Sequence, residues 1–470
     1  MLRRFLPLAL FAALTVAAFG AIRSYDLFWQ LATGRWIFEH RALPGVDPFT
    51  VASEKSEWID GEWLYEVALY GAHSLAGLKG LSWLRGLLAA TIFTIAFVKT
   101  RRENDSALLV CAVAFAGAMP VLDLRPSGVA ALMVVLMLAA RAVWARVLIA
   151  IVWMNVHPSA LLAPIVAAAN VGRGFSPPPP GEGDGPPAHE GGGLKPRHTF
   201  ALVACALALL VNPFGWKGIA APLELTSFVS GGTFVNAEWL PSSPMLYPIL
   251  YVAIVIAIAA FAIEPQRDWK RMAILALFAV LAVRSVRNQP LFFAAFAMCV
   301  RLPKLRPALV HAASAIAIVL TGASVDHRLG VPPERFPIEA VAHLQASGLR
   351  GNIYNPDQFG GFLIWSFYPE RRALTDGRNE LYRTFIPEWQ QAREDGRKWN
   401  ALLRKYRIDI AVEEYRPPLR VTNGATGQVM EMPAHLAYWP KNEWVMIARD
   451  EAAMVFARRS VVSSRARADR

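Results

Sequence analysis

Three cysteines in 470 residues are too few for a disulfide framework. Cys111, Cys205 and Cys299 each lie inside an apolar run, where a thiol serves as a small packing residue rather than a metal ligand. Charge is scarce too. Asp, Glu, Lys and Arg make up 18% of the chain and gather between apolar stretches instead of spreading along it. No internal repeat is present, which weighs against a transporter built on duplicated halves. The C-terminal third carries neither a Gly-rich phosphate loop nor a Ser-His-Asp spacing, so no independent active site can be read in it.

Hydrophobicity is what remains. Apolar residues make up 55% of the chain and the mean hydropathy is +0.33, as in a polytopic α-helical membrane protein. The net charge of +12 does not point to nucleic acid, because the basic residues outside the tail sit at the ends of apolar segments. Positive-inside topology accounts for them, and membrane lipid is the expected surrounding.

MLRR and the apolar run after it look like a signal peptide, but no small-residue cleavage site precedes Asp26, so this stretch reads as a retained first helix. Spans are expected at 5–22, 80–98, 107–121, 127–143, 147–170, 199–212, 246–263, 271–286, 288–301 and 306–323. The 147–170 stretch breaks at Asn155–Pro158 into two short passes. Only that parity keeps Arg173, Lys195, Arg197, Arg267, Lys270, Arg271, Arg301, Lys304 and Arg306 on the N-terminal, cytoplasmic side. The total is about 11 membrane segments, which puts the tail on the extracytoplasmic side of a plasma or inner membrane. Residues 172–197, rich in Pro and Gly and without periodicity, read as a disordered cytoplasmic loop.

The domain boundaries follow: a transmembrane domain over 1–325, whose first outer loop (23–79) carries interfacial helices, and a C-terminal soluble α/β domain over 331–470. In the latter, PIEAVAHLQASGL and RKWNALLRKYR read as helices; GNIYN, FLIW, RALTDG, IDIAVE, WVMIAR and MVFARR read as strand-like runs.

The chemistry centres on 23–40, RSYDLFWQLATGRWIFEH. As a helix it puts Asp26, Gln30 and Thr33 on one face beside an apolar stripe of Leu27, Leu31, Gly34 and Phe38. Trp29, Arg35 and Trp36 suit a membrane interface. Asp26 would be a general base or orient an acceptor hydroxyl; equally, it would cap the helix starting at Leu27. Asp60 and Glu62 in WIDGEW form a second acidic cluster, read either as the cap and first turn of a helix over 60–75 or as a carboxylate partner for Asp26. Arg125, Arg284 and Arg287 face outward in this topology, where a guanidinium can bind a lipid-linked phosphate; the alternatives are snorkelling or a pair with Asp123. His157 sits at the span break. Glu238 and Trp239, with Asn212, flank the next outer loop as candidates for a sugar site. Asp376-Gly377-Arg378 reads as an ordinary turn.

The ordered set DLFWQLATGRWIFEH, DPFT, WIDGEWLYE, NPFGW, GGFLIW and DGRNELY resembles bacterial membrane proteins grouped with the GT-C superfamily of integral-membrane glycosyltransferases. That superfamily includes protein mannosyltransferases, aminoarabinose transferases and oligosaccharyltransferase catalytic subunits. The resemblance implies a GT-C-like membrane domain and an inverting hexosyl- or pentosyltransferase. Its donor would be a polyprenyl-phosphate-linked sugar and its acceptor a glycan, lipid or protein on the outer face. Asp26 would be the base, and the outer arginines would hold the donor phosphate. Many members pair two acids at the Asp26 position, whereas Leu27 follows Asp26 here; Asp60 or Glu62 must then supply the second carboxylate. Whether a divalent cation, Mg or Mn, bridges them stays open. So do an envelope-polysaccharide polymerase, ligase or flippase outside the superfamily, and a non-catalytic membrane scaffold.

Overall fold

The computed structural model describes residues 2–53, 57–169, 196–230, 237–266, 268–422 and 429–468. The chain is mostly helical, with strands near its C-terminus. In chain order the first helices are α1 (Leu2–Ala18), α2 (Leu27–His40), α3 (Trp63–Thr100), α4 (Ala107–Ala118), α5 (Pro126–Ala139), α6 (Val143–Met154) and α7 (Ala163–Ala169). Next come α8 (Pro196–Ala208), α9 (Trp216–Ser230), α10 (Pro248–Ile263), α11 (Trp269–Arg284), α12 (Gln289–Cys299) and α13 (Pro307–Ser324). The C-terminal part holds α14 (Ile338–Ala346), β1 (Asn352–Tyr354), α15 (Asp357–Phe367), α16 (Phe385–Glu394), α17 (Gly396–Lys405) and β2 (Ile408–Glu414). It ends with β3 (Leu419–Thr422), β4 (Val429–Met432), α18 (His435–Tyr438), β5 (Trp444–Arg449), β6 (Ala453–Arg458) and α19 (Arg459–Ala468).

The chain divides into two compact units. Unit 1 comprises Met1–Gly20, Ile59–Tyr65 and Leu81–His327; unit 2 comprises Ala21–Trp58, Glu66–Gly80 and Arg328–Arg470. Most of the expected 23–79 loop therefore groups with the C-terminal sheet rather than with the helices on either side of it.

Unit 1 is built around α12, every residue of which is buried against α4, α5 and α11. Gly117 of α4 makes room for this, since a Cβ there would lie 2.2 Å from the Phe293 ring. Helices α10 and α13 are inside out. On α10, Val252, Val255 and Ile258 are exposed while Ala253, Ala257 and Ala260 are buried. On α13, Ile316, Val319 and Leu320 face out and Ser314 and Gly322 face in. Large apolar side chains outside and small ones at the helix contacts are what a hydrocarbon surround demands. Among the described residues two helices, Trp63–Thr100 and Pro307–Ser324, are long and apolar enough to cross a membrane, and seven more apolar helices are shorter.

The expected break at Asn155–Pro158 is present. α6 ends at Met154, a 3-10 turn runs over Pro158–Leu162, and α7 follows. Asn155 fills the break, donating to the carbonyls of Ile151 (2.8 Å) and Val211 (2.9 Å). The expected helix over 60–75 starts only at Trp63 and runs on to Thr100 through a kink at Gly77, whose φ of +61° suits glycine. Helix α9 was not expected: Lys217, Pro222 and Glu224 interrupt its apolar pattern. The stretch 172–195 lies outside the described residues.

Unit 2 contains a four-stranded sheet in the order β1-β2-β6-β5, with β1 parallel to β2 and the other pairs antiparallel, and a separate β3-β4 hairpin. IDIAVE, WVMIAR and MVFARR are strands as expected. FLIW is not; it lies in α15, where Phe359, Leu363, Ile364 and Phe367 bury one helical face. RALTDG contributes only isolated bridges of Ala373 to Thr50 and Ile353.

Helix α2 also departs from expectation, because Leu27 to Gly34 are buried on all sides. A Cβ on Gly34 would lie 2.2 Å from the Glu66 carbonyl oxygen, and one on Gly361 of α15 would lie 2.9 Å from the Trp29 nitrogen. Glycines on both sides thus let protein, rather than lipid, close around α2; Phe38, Glu39 and His40 are its exposed end. Gly360 packs α15 on the 375–377 turn, where a Cβ would sit 1.9 Å from the Thr375 oxygen. Gly360→Ala is therefore expected to destabilise unit 2 by about 1–3 kcal/mol, the range for overpacking. Thermal unfolding checks this, and an unchanged midpoint would contradict so close an approach.

Candidate functional site

In unit 2 Asp26 occupies the N-cap position of α2, but its side chain makes no capping hydrogen bond. The Trp29 Nε1–H instead donates to Asp26 Oδ1 at 3.0 Å. The Asp376-Gly377-Arg378 turn backs the carboxylate: a Cβ on Gly377 would lie 2.7 Å from Asp26 Oδ1. Asp26 is half-exposed.

Behind the turn lies an ion triad that the sequence reading missed. Arg378 is buried and binds Asp376 through Nε, 3.0 Å from each carboxylate oxygen, and through Nη2. The same Nη2 donates to Asp47 Oδ1 at 3.0 Å. Its guanidinium lies over the rings of Trp58 (4.5 Å), Phe49 (5.4 Å) and Trp29 (5.5 Å). Asp47 also accepts from the backbone N–H groups of Phe49 and Thr50, both at 3.1 Å. Trp29 therefore serves twice, with its N–H on Asp26 and its ring under Arg378. Burial pushes the Asp376 carboxyl above its ordinary range despite Arg378. Burial acts on Asp47 as well, but there Arg378 and the hydrogen bonds prevail and hold the carboxyl below that range. Asp-Pro and Asp-Gly are turn signals, and they hid both acids.

Within unit 2 a second carboxylate lies near Asp26. Asp357 opens α15, and although solvent reaches it, partial desolvation and the nearby charges of Glu414 and Asp26 raise its pKa. Asp60 and Glu62 belong to unit 1, where buried Asp60 accepts the Glu62 backbone N–H at 3.0 Å and Glu62 takes the N-cap position of α3. Among the described residues, no group of three or more His, Cys, Asp and Glu is placed to hold a metal ion.

Unit 1 brings five of the expected residues together. Arg125 pairs with Glu238, and Asp123 pairs with Arg85 at 3.2 Å. The segment after Glu238 is tied to the end of α11: Ser285 Oγ donates to the backbone carbonyl of Glu238 at 2.9 Å, and the Val286 N–H to that of Leu240 at 3.1 Å. This places the Trp239 ring 4.5 Å from the Arg287 guanidinium. Arg287 Nη2 lies 3.4 Å from His157 Nε2. Arg284 ends α11 exposed, and among the described residues no hydrogen bond or ion pair joins it to this cluster. Asn212 holds its own turn, accepting from the Phe214 N–H at 2.9 Å.

No protein-family model and no curated protein matches the chain. Among solved structures it is similar to the Archaeoglobus fulgidus oligosaccharyltransferase in complex with zinc and sulfate, with a TM-score of 0.48 at 10% identity over 88% of this chain and 70% of that one. The archaeal oligosaccharyltransferase of the same organism, bound to an inhibitory peptide and a dolichol-phosphate, gives 0.43 at 10% identity over 92% and 74%. The apo form gives 0.42 at 10% identity over 92% and 75%. TM-scores below 0.5 at this identity do not carry a function from those proteins to this one.

Proposed function

We propose that the chain is an integral-membrane glycosyltransferase. It moves a sugar from a polyprenyl-phosphate-linked donor to an acceptor hydroxyl on the outer face of the membrane, inverting the anomeric centre. The observation that carries the reading is the Asp26 carboxylate, which does not cap its helix but is gripped by Trp29 and left half-exposed. The inside-out helices of unit 1 support a lipid surround for the membrane part within 1–325. A cytoplasmic N-terminus and an extracytoplasmic 331–470 domain complete the arrangement.

In this reaction Asp26 takes the proton of the acceptor as the acceptor atom bonds to the anomeric carbon. The bond from that carbon to the phosphate oxygen breaks, and polyprenyl phosphate leaves with the electron pair. Arg287, stacked on Trp239, takes the donor phosphate through its guanidinium edge. Arg125 is committed to Glu238, so these two act as a pair that braces the Trp239 segment. Asp357, whose charge interacts with that of Asp26, is the second acid in this reading in place of Asp60 and Glu62.

The test supplies synthetic polyprenyl-phosphate sugars to the protein in liposomes and reads the anomeric configuration of the product by NMR. Inverted product is expected. A retained configuration would contradict the single displacement, and lipid-phosphate binding without transfer from any donor sugar would favour the scaffold reading.

A further inference from the structure

His157 is 4% exposed, and its ring is held from one side. The Ser159 backbone N–H donates to Nδ1 at 3.1 Å, and Ser159 Oγ lies 2.8 Å from the same nitrogen. That hydroxyl also accepts the Trp153 Nε1–H at 3.0 Å and can donate its own proton to Nδ1. A backbone N–H cannot turn round to become an acceptor. Nδ1 is therefore the unprotonated nitrogen, and the neutral ring carries its proton on Nε2.

Across from Nε2 stands Arg287 Nη2, 3.4 Å away. A guanidinium only donates, so two donors face each other and no hydrogen bond can form between them. The buried Nε2–H needs an acceptor, and leaving such a group without one costs about 1–3 kcal/mol. An acceptor that suits an N–H beside a guanidinium is an anionic oxygen.

We infer that His157 Nε2–H and Arg287 form a two-donor seat for one oxygen of a phosphate group, with His157 as a tautomer-locked neutral donor. Nε2 then has no lone pair with which to accept a proton or bind a metal, so His157 is neither a base nor a metal ligand there. The Trp239 ring, stacked on the guanidinium, keeps the seat in shape. The seat stands on this geometry alone; only the claim that its phosphate is lipid-linked rests on the proposed function.

The experiment uses the full chain in detergent with 15N-labelled histidine, one imidazole pair for each of the nine histidines. The His157 signals are identified by their loss in His157→Gln. The expected result is an Nε2–H tautomer whose Nε2 resonance moves when a short-chain polyprenyl monophosphate is added. His157→Phe should weaken binding of that lipid about tenfold or more, while His157→Gln, whose amide can still donate, should retain most of it. If His157→Phe fails to fold, the wild-type spectrum still decides. Inorganic phosphate is the second probe: an equal movement with it supports the seat but makes its ligand a soluble anion, which removes the link to the lipid donor. An Nδ1–H tautomer, or an Nε2 resonance that neither phosphate moves, overturns the inference. Loss of transfer in Asp26→Asn leaves the seat untouched, so the two claims fail separately.

Discussion

Asp26→Asn is expected to lower the proposed sugar transfer by about a hundredfold to ten-thousandfold, the usual contribution of a general base, while unit 2 stays folded. Asn keeps an oxygen at the Oδ1 position, so the hydrogen bond from the Trp29 Nε1–H survives. It is also as good an N-cap residue as Asp, and there is no side-chain capping bond to lose. What disappears is the capacity to take a proton. Transfer rates and thermal unfolding measured on the same preparation separate the two roles. A lowered unfolding midpoint with transfer intact would mean that Asp26 is structural after all.

The second large effect is on stability. Arg378→Ala is expected to cost unit 2 about 3–5 kcal/mol, because it leaves the buried Asp47 and Asp376 without their shared cation. Arg378→Lys should recover only part of this, since an ammonium cannot reproduce the paired contacts to Asp376 or the stacking over Trp58. The pH dependence has a defined sign. Asp47, with its pKa held down in the folded state, contributes stability that is present above its unfolded pKa and is lost as pH falls through the folded value. Arg378→Ala should flatten that acid limb. Chemical denaturation across the carboxylate range reads both effects, and a variant with wild-type stability would rule out a supporting role for the triad.

The sequence revealed local features well and distant ones poorly. The helix after Asp26 followed from its period, and the break at 155–158 followed from Asn, Pro and the charge count. The DPFT and DGR motifs could be picked out, but not their union: Asp47 and Arg378 are 331 residues apart, and no local pattern records an ion pair over that distance. FLIW was misread because a four-residue apolar run fits a strand or a buried helix face equally, and the glycines at 360–361 that allow α15 to pack look like turn residues. Helix α2 reads from its sequence as an interfacial helix, but Gly34 brings the Glu66 backbone against it. Of the expected site residues, His157, Arg287, Trp239, Glu238 and Arg125 gather in unit 1, Asp26 gains Asp357 as its neighbour, and Arg284 joins neither group.

Native mass spectrometry of the purified chain beside its Asp26→Asn variant tests the central claim most directly. A donor-bound transferase should carry a polyprenyl-phosphate sugar, with a mass that identifies the sugar. The Asp26→Asn protein should retain it, because the carboxylate acts on the acceptor and not on the donor. Ordinary phospholipid alone, with no uptake of added polyprenyl phosphate by either protein, would contradict the account.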